Sequence, residues 1–422
     1  MISLFRHRNF LLFLGAQTTY SVGAGLGWIA LPLLAVTATE AGPSDLAALL
    51  LPEAMATLLF LLPAGVWIDR LSHRSVLVNT ALAQAVLTVT VPIAWWAEAL
   101  SPLHLQLAGI GSGIASAFGT VAWASYLPRI VDADRLLPAN AALSTAAEVQ
   151  GLALHHALDK PLDALFRSMS ASAGPLLKVL AMLASALLVR RIDVPEEAPD
   201  RAARRPLLRE LGAGVGFLLS RRDLRGLVIA GALGYFCLLV LSTVYGMLAV
   251  AWRFLGEKQD PAAHAWLIGG EPLGALAGAL VAWPLARRLG GVRTAWLPLV
   301  VTQPFLLLIP FVPDDWPALL HLAPTFVQGA GFTIAVIAQT SYLQREIPDG
   351  LRGRVLAVQV FLSTLATIPA PFAGAVLSET FTEEPVIMAC GVSLTLAGVI
   401  AWRALSSPVS DTPRAEAEGV DH

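Results

Sequence analysis

Apolar stretches of about 20 residues, long enough to cross roughly 30 Å of hydrocarbon, recur along the whole chain. They fall near 10–37, 45–68, 75–98, 102–127, 138–158, 164–189, 226–252, 261–286, 293–313, 317–343, 353–378 and 385–405. The pattern predicts an all-α membrane protein with twelve spanning helices. Pro32, Pro63, Pro92, Pro298, Pro304, Pro324, Pro369 and Pro371 lie inside these stretches. Breaks of this kind are tolerated where neighbouring helices or water satisfy the freed carbonyls. Asp159, Lys160, Asp163 and Arg167 crowd the link between the fifth and sixth stretches. Arg6-His7-Arg8 and Val36-Thr37-Ala38 around the first stretch imitate a secretory leader. The run from Phe10 to Val36 is about twice the length of a leader's apolar region, so it is expected to be a first span.

The positions of the cationic residues orient the bundle. All but five of the 28 Lys and Arg fall before the first stretch, in every second loop, in 190–225 or in the tail. The exceptions are Lys160, Lys178, Arg167, Arg253 and Lys258. By the positive-inside rule the rich side is cytoplasmic, with both termini there, as in a bacterial inner-membrane protein. The segment 190–225 splits the stretches into six and six. The domains expected are a first lobe at 1–190, a linker at 191–222, a second lobe at 223–405 and a disordered tail at 406–422. Within the linker, Pro206 to Ser220 reads as a short amphipathic segment.

The halves repeat one another. Ser125-Tyr126-Leu127-Pro128-Arg129 and Ser341-Tyr342-Leu343-Gln344-Arg345 end spans 4 and 10 at an offset of 216. Glu53 precedes Asp69 by 16 residues, as Glu271 precedes Arg287, at an offset of 218. Two pseudo-symmetric six-helix lobes with a binding site between them, near the bilayer midplane, are a transporter design.

Composition agrees with a lipid environment. Charged residues make up 14% and hydrophobic residues 56%, with a mean hydropathy of +0.68; ordinary soluble domains carry roughly 25% charged residues. A net charge of −2 offers no field for nucleic acid. The two cysteines, Cys237 and Cys390, sit in apolar runs and read as small core residues rather than a disulfide framework.

Gly65-Val66-Trp67-Ile68-Asp69-Arg70-Leu71-Ser72-His73-Arg74 follows span 2. This resembles the loop motif of the major facilitator superfamily, with only Arg74 of the later basic pair cationic at neutral pH. Two stretches resemble the exporter branch holding enterobactin exporters and macrolide-efflux proteins: Leu208-Arg209-Glu210-Leu211 with Phe217-Leu218-Leu219 and Leu224-Arg225, and Ile347-Pro348-Asp349-Gly350-Leu351-Arg352-Gly353-Arg354-Val355. The resemblance implies the major facilitator fold and a gate in which Asp69 approaches Gly353 or Arg354 of span 11. Gly65 would allow the close helix approach, and Arg70 and Arg74 would add ion pairs between the lobes. Two family features are missing. Span 4 has no arginine between Pro102 and Tyr126, and span 5 reads Glu148-Val149-Gln150-Gly151 where antiporters carry a Gly-Pro pair.

Ionisable groups at membrane depth are expensive, so each invites a functional hypothesis. Glu53, Glu148 and Glu271 are the proton-coupling candidates, joined by His155 as a partner of Glu271 across spans 5 and 8. Glu271 stands about 14 residues from the inner end of its helix, roughly 21 Å, and His155 is expected at a similar height. Each could equally be a structural group bonded to a neighbouring helix. Lys178 is expected to snorkel or pair, and Asp163 with Arg167 to form a surface pair. His155, His156 and Asp159 imitate a metal site, but Lys160 and Pro161 interrupt the helix, so no metal or cofactor is expected. The cavity candidates are Gln17, Tyr20, Trp28, Tyr235, Phe236, Tyr245, Gln328 and Phe332, whose aromatic faces and sparse polar groups suit a bulky, partly apolar ligand. The sequence shows no nucleotide loop, paired nucleophile or metal cluster, so it reads as a transporter and not an enzyme. The leading expectation is a monomeric, proton-linked exporter of a hydrophobic, drug-like or siderophore-like molecule by alternating access. An importer or facilitator of a small metabolite, or a non-transporting scaffold or sensor, are the alternatives.

Overall fold

A computed structural model of the chain describes residues 4–39, 43–156, 173–196, 206–255, 261–311, 318–381 and 383–406. Helices α1 (Arg8–Thr39), α2 (Pro43–Asp69), α3 (His73–Trp96), α4 (Pro102–Ile130), α5 (Leu136–His156) and α6 (Ala173–Arg190) form the first half. After the linker helix α7 (Leu207–Ser220) come α8 (Arg222–Leu255) and α9 (Pro261–Leu289), then α10 (Gly291–Thr294) and α11 (Leu297–Thr302). The second half ends with α12 (Ala318–Glu346), α13 (Asp349–Thr367), α14 (Pro369–Thr380) and α15 (Glu383–Ser406). No strand occurs among the described residues. The architecture is the major facilitator fold of two six-helix lobes. Nine helical stretches among the described residues are long and apolar enough to cross a membrane. Three of the twelve expected spans, α1, α5 and α9, fall outside that set, and each includes side chains that are not described.

Local chemistry sets the helix ends. Ser72 caps α3 by accepting from the Ser75 N–H, and Ser101 caps α4 by accepting from His104, with Pro102 in the first turn. Prolines also redraw two expected spans. The ninth, expected as one helix over 293–313, is instead α10, α11 and a 3-10 stretch Gln303–Phe311, with Pro298 in the first turn of α11. The eleventh, expected over 353–378, begins earlier, at Asp349, and breaks between Thr367 and Pro369. Proline lacks the N–H that would continue the ladder. Near the break the Thr367 hydroxyl donates to the Thr364 carbonyl at 2.7 Å, satisfying part of the exposed backbone.

The repeat seen in the sequence is a repeat of contacts. In the first half α2 crosses α4 so closely that a Cβ on Gly113 would strike the Glu53 carbonyl oxygen. In the second half α9 crosses α12 with Gly329 against the Glu271 carbonyl oxygen in the same way. Small residues let helix backbones approach where no hydrophobic force drives them together. The hydroxyls of Ser125 and Ser341 each donate to the carbonyl four residues back, Val121 and Ile337, at 2.7 Å. Each half has its own buried core. Phe10, Phe13, Leu61, Trp123 and Tyr126 pack in the first, and Val240, Val244, Leu299, Leu306 and Leu394 in the second. Large apolar side chains also point outward, including Leu59 at 65% exposure, Leu103 at 63%, Leu180 at 63% and Phe372 at 74%. Lipid, not water, is the solvent for such a surface.

Candidate functional site

At the end of the bundle where the arginines gather, α2 meets α13. A Cβ on Gly65 would lie 2.5 Å from Ala357 Cβ and 2.8 Å from the Gly353 carbonyl oxygen, so only glycine permits this crossing. The close approach brings Asp69, at the last turn of α2, onto the backbone of α13. Its Oδ1 accepts from the Gly353 N–H at 2.8 Å and its Oδ2 from the Arg354 N–H at 3.3 Å. Arg354 Nε stands 3.2 Å from Oδ2 as an ion pair. Arg129 of α4 is within electrostatic reach of the same carboxylate. The expected approach of Asp69 to Gly353 and Arg354 is therefore present, with both residues as partners.

Of the flanking cations, Arg74 departs from the expectation. Arg70 pairs with Glu210 of α7 at 2.7 Å, and Glu210 also holds Arg354 at 3.0 Å. Arg74 reaches the carbonyl of Arg190 at the end of α6, within its own half, so the described contact is not an ion pair between lobes. Glu196 accepts from the N–H groups of His73 and Arg74 at 2.7 and 3.0 Å, placing a carboxylate at the N-terminus of α3 where the helix dipole favours it. His73 is 2% exposed and stacks on Tyr126 with ring centroids 5.8 Å apart.

The pseudo-symmetric junction, α5 against α9, is built differently. Trp283 stands where Gly65 stands in the repeat, and Arg287 where Asp69 stands. An indole cannot allow the same crossing, and here a cleft of ≈ 210 Å³ opens, lined by Asp134, Leu137, Trp283, Arg287 and Arg345 among others. The Arg287 guanidinium lies over the Trp283 ring at 5.2 Å. Deeper in, the halves close on an apolar layer of Ala141, Ala279, Ala282, Ile334 and Ile337. Beside it Asn140 donates to Ser341 at 2.9 Å and to Gln344 at 2.7 Å, while Gln344 donates to the Ala124 carbonyl at 2.9 Å.

Above that layer lie the membrane carboxylates. Glu148 is seven residues beyond Ala141 on α5, and Glu271 eight residues beyond Ala279 on α9, so both sit roughly 10–12 Å past the seal at helical rise. They interact electrostatically across the lobe interface. Tyr235 of α8 is 40% exposed although it lies within electrostatic reach of Glu148, as a residue on an internal cavity would be. Its ring meets Phe332 edge-on at 6.1 Å. Glu53 is not part of this cluster. It interacts with Lys178 of α6, which is 5% exposed and seated against α1. A Cβ on Gly27 would lie 2.6 Å from Lys178 Cδ, so glycine makes room for the lysine. Lys178 is therefore buried within electrostatic reach of Glu53 rather than snorkelling.

Several sequence-predicted residues fall elsewhere. The side chains of Trp28, His155 and His156, and the whole of Asp159, Lys160, Asp163 and Arg167, lie outside the described residues. Among the described residues Glu148 is within electrostatic reach of Glu271; the expected pairing of Glu271 with His155 lies outside them. Tyr245, Gln328 and Phe332 are 8%, 2% and 8% exposed and pack among helices, so they do not line open space. Gln17, Tyr20 and Phe236 are half-buried, Tyr20 beside Trp123 at 6.0 Å and Phe236 against the second-half core. Cys237 and Cys390 are buried in one cluster, with thiols in mutual contact. The missed residue is Glu210. It shares a buried face with Gly214 and Leu218, at i, i+4 and i+8 on α7, and a carboxylate on the apolar stripe of an amphipathic helix was the available signal.

The sequence matches the family described as transmembrane secretion effector over residues 3–418. No curated protein matches it. Among solved structures, a bacterial homologue of the iron transporter ferroportin in an outward-facing state is similar at a TM-score of 0.75 and 17% identity, covering 95% of this chain and 100% of that one. The E. coli fucose:proton symporter is similar at 0.69 and 15%, over 94% and 98%. The proton:xylose symporter is similar at 0.68 and 14%, over 95% and 96%. At such identities these likenesses speak for the fold.

Proposed function

The chain belongs to the transmembrane secretion effector family of the major facilitator superfamily and is a multi-pass secondary transporter, and we propose that it is a proton-linked exporter of a hydrophobic, drug-like or siderophore-like small molecule. In this reading residues 1–190 and 223–405 are lobes that rock about a central pocket, joined by the linker at 191–222. The arginine-rich end is cytoplasmic, both termini lie there, and the membrane is a bacterial inner membrane.

The observation that carries the proposal is the Glu148–Glu271 pair facing across the lobe interface just beyond the apolar seal. Two carboxylates within electrostatic reach of one another in a low-dielectric site are harder to ionise together than singly, and in this reading the pair is where a proton is taken up and released. Their position between lobes makes that change depend on which end is open. Tyr235, exposed beside Glu148, offers an aromatic face to a partly apolar ligand. The secretion description of the family and the resemblance to the exporter branch support the outward direction. In the same reading the α2–α13 junction holds the cytoplasmic end shut.

The test is flux in vesicles. Purified protein in liposomes is given a pH gradient of either sign and a panel of lipophilic cations, macrolides and catechol siderophores. Glu148→Gln and Glu271→Gln should each abolish gradient-driven accumulation while leaving exchange at equilibrium. Normal driven transport by both variants would remove the coupling claim, and flux only in the inward direction would remove export.

A further inference from the structure

We propose that Glu210 of the linker helix is the standing counter-ion of Arg354 and the releasable partner of Arg70, so that α7 travels with the second lobe when the arginine-rich end opens. The inference rests on the alternating-access reading above. Glu210 is 5% exposed. Its Oε1 lies 2.7 Å from Arg70 Nη2 and its Oε2 3.3 Å from Arg70 Nε, a forked grip on the guanidinium. The same Oε2 is 3.0 Å from Arg354 Nη2. One carboxylate of the linker thus joins an arginine of each half, while Arg354 also faces Asp69.

The packing decides which contact breaks. Leu218 of α7 is buried with Leu224, Leu227, Leu343, Val355 and Leu356, all of the second half. Gly214 lies so close to α13 that a Cβ there would sit 2.7 Å from Arg354 Cβ. Just past α7, Arg221 pairs with Asp223 at 2.7 Å and Glu346 at 3.5 Å, and Tyr342 donates to Asp223 at 2.9 Å. These neighbours hold the Arg221 guanidinium above its usual pKa, so it stays charged. The helix is therefore anchored to the second half, and its reach to Arg70 is the contact between halves.

Charge balance gives the device its logic. The closed junction contains Asp69, Arg70, Glu210 and Arg354. Separation along the lobe boundary would leave Asp69 with Arg70 and Arg129 on one side and Glu210 with Arg354 on the other. Without Glu210, Arg354 would leave Asp69 with no carboxylate of its own half beside it. A buried charge stripped of its partner is strongly unfavourable. Glu210 thus lowers the penalty for opening as well as adding a grip when closed.

The reporter is Ile337→Cys, a position 1% exposed in the apolar layer between halves. It is labelled with an impermeant maleimide added from the arginine-rich face of vesicles. Glu210→Asp should raise the labelling rate about tenfold, the scale of losing one charge-assisted contact, and Glu210→Gln should raise it less, because it also strips Arg354 of its counter-ion in the open state. The shorter aspartate keeps Arg354 and the fold but falls short of Arg70. The exchange Arg70→Glu with Glu210→Arg should not restore the parent rate, because an arginine at 210 would face Arg354. Restoration by the exchange, or a parental rate in Glu210→Asp, overturns the proposal. Gly65→Ala is the control. If it too leaves labelling unchanged, the α2–α13 gate on which this inference rests fails with it; if it opens the gate and the Glu210 variants do not, only this inference fails.

Discussion

Replacing Gly65 by alanine isolates the helix crossing from the charges around it. The added methyl would meet Ala357 Cβ at 2.5 Å, the Gly353 carbonyl oxygen at 2.8 Å and Arg354 Cα at 3.1 Å. None of these is the end of a flexible side chain, so relief requires α2 and α13 to separate. Overpacking of this kind costs about 1–3 kcal/mol. The separation also stretches the 2.8 Å bond from the Gly353 N–H to Asp69. Alanine favours the helix over glycine by about 1 kcal/mol, but that gain is present in both gate states and cancels from their ratio. The net effect is a shift of about 5- to 150-fold towards the open arginine-rich end, with little change in melting temperature. Maleimide labelling of Ile337→Cys reads the shift directly. Gly216→Ala, with nothing within 4 Å of its new methyl, supplies the propensity gain alone and should leave labelling unchanged. Unchanged labelling in Gly65→Ala would refute the claim that the close crossing holds the gate.

Two further predictions concern the halves separately. Gly113→Ala and Gly329→Ala each drive a methyl into the carbonyl oxygen of Glu53 or Glu271, so both should lower the melting temperature in detergent by similar amounts, on the order of 1–3 kcal/mol of stability; a neutral result at either would break their structural equivalence. Lys178→Met removes the buried cation within electrostatic reach of Glu53 and should destabilise the first half by about 1–3 kcal/mol. Adding Glu53→Gln should recover most of that loss, because removing both members of a pair is far milder than removing one. Additive losses in the double variant would show that the two do not interact.

What the sequence revealed and what it concealed follow from the range of each interaction. The Gly65–Asp69 spacing was legible because one turn of helix separates the two residues, and their partner Gly353 lay in a motif of its own. The partners of Glu210 stand 140 and 144 residues away, and only the buried face it shares with Gly214 and Leu218 hinted that it turned inward. Aromatic candidates were less legible still. Tyr235, Phe236 and Tyr245 share one helix, yet only Tyr235 is exposed, since helix rotation against α12 and α15 decides which ring is covered. Span limits failed at Pro298, Pro304 and Pro369, where local backbone chemistry overrides an unbroken apolar pattern.

The repeat carries a physical lesson of its own. Within each half a close crossing keeps a glycine at the same place, Gly113 and Gly329, each against a glutamate carbonyl oxygen. Between halves the symmetry is abandoned. Gly65 and Asp69 seal one junction, while Trp283 and Arg287 hold the equivalent helices apart over a cleft. A body that rocks needs one contact strong enough to define the closed state. A second seal of equal strength on the opposite side would deepen the same state and slow every departure from it. The apolar layer around Ala141 and Ala282 closes that side with only the neutral Asn140, Ser341 and Gln344 hydrogen bonds beside it, and neutral bonds part more readily than a buried carboxylate on backbone N–H groups. Asymmetry at the gate, set on a symmetric pair of lobes, is what lets a closed end remain able to open.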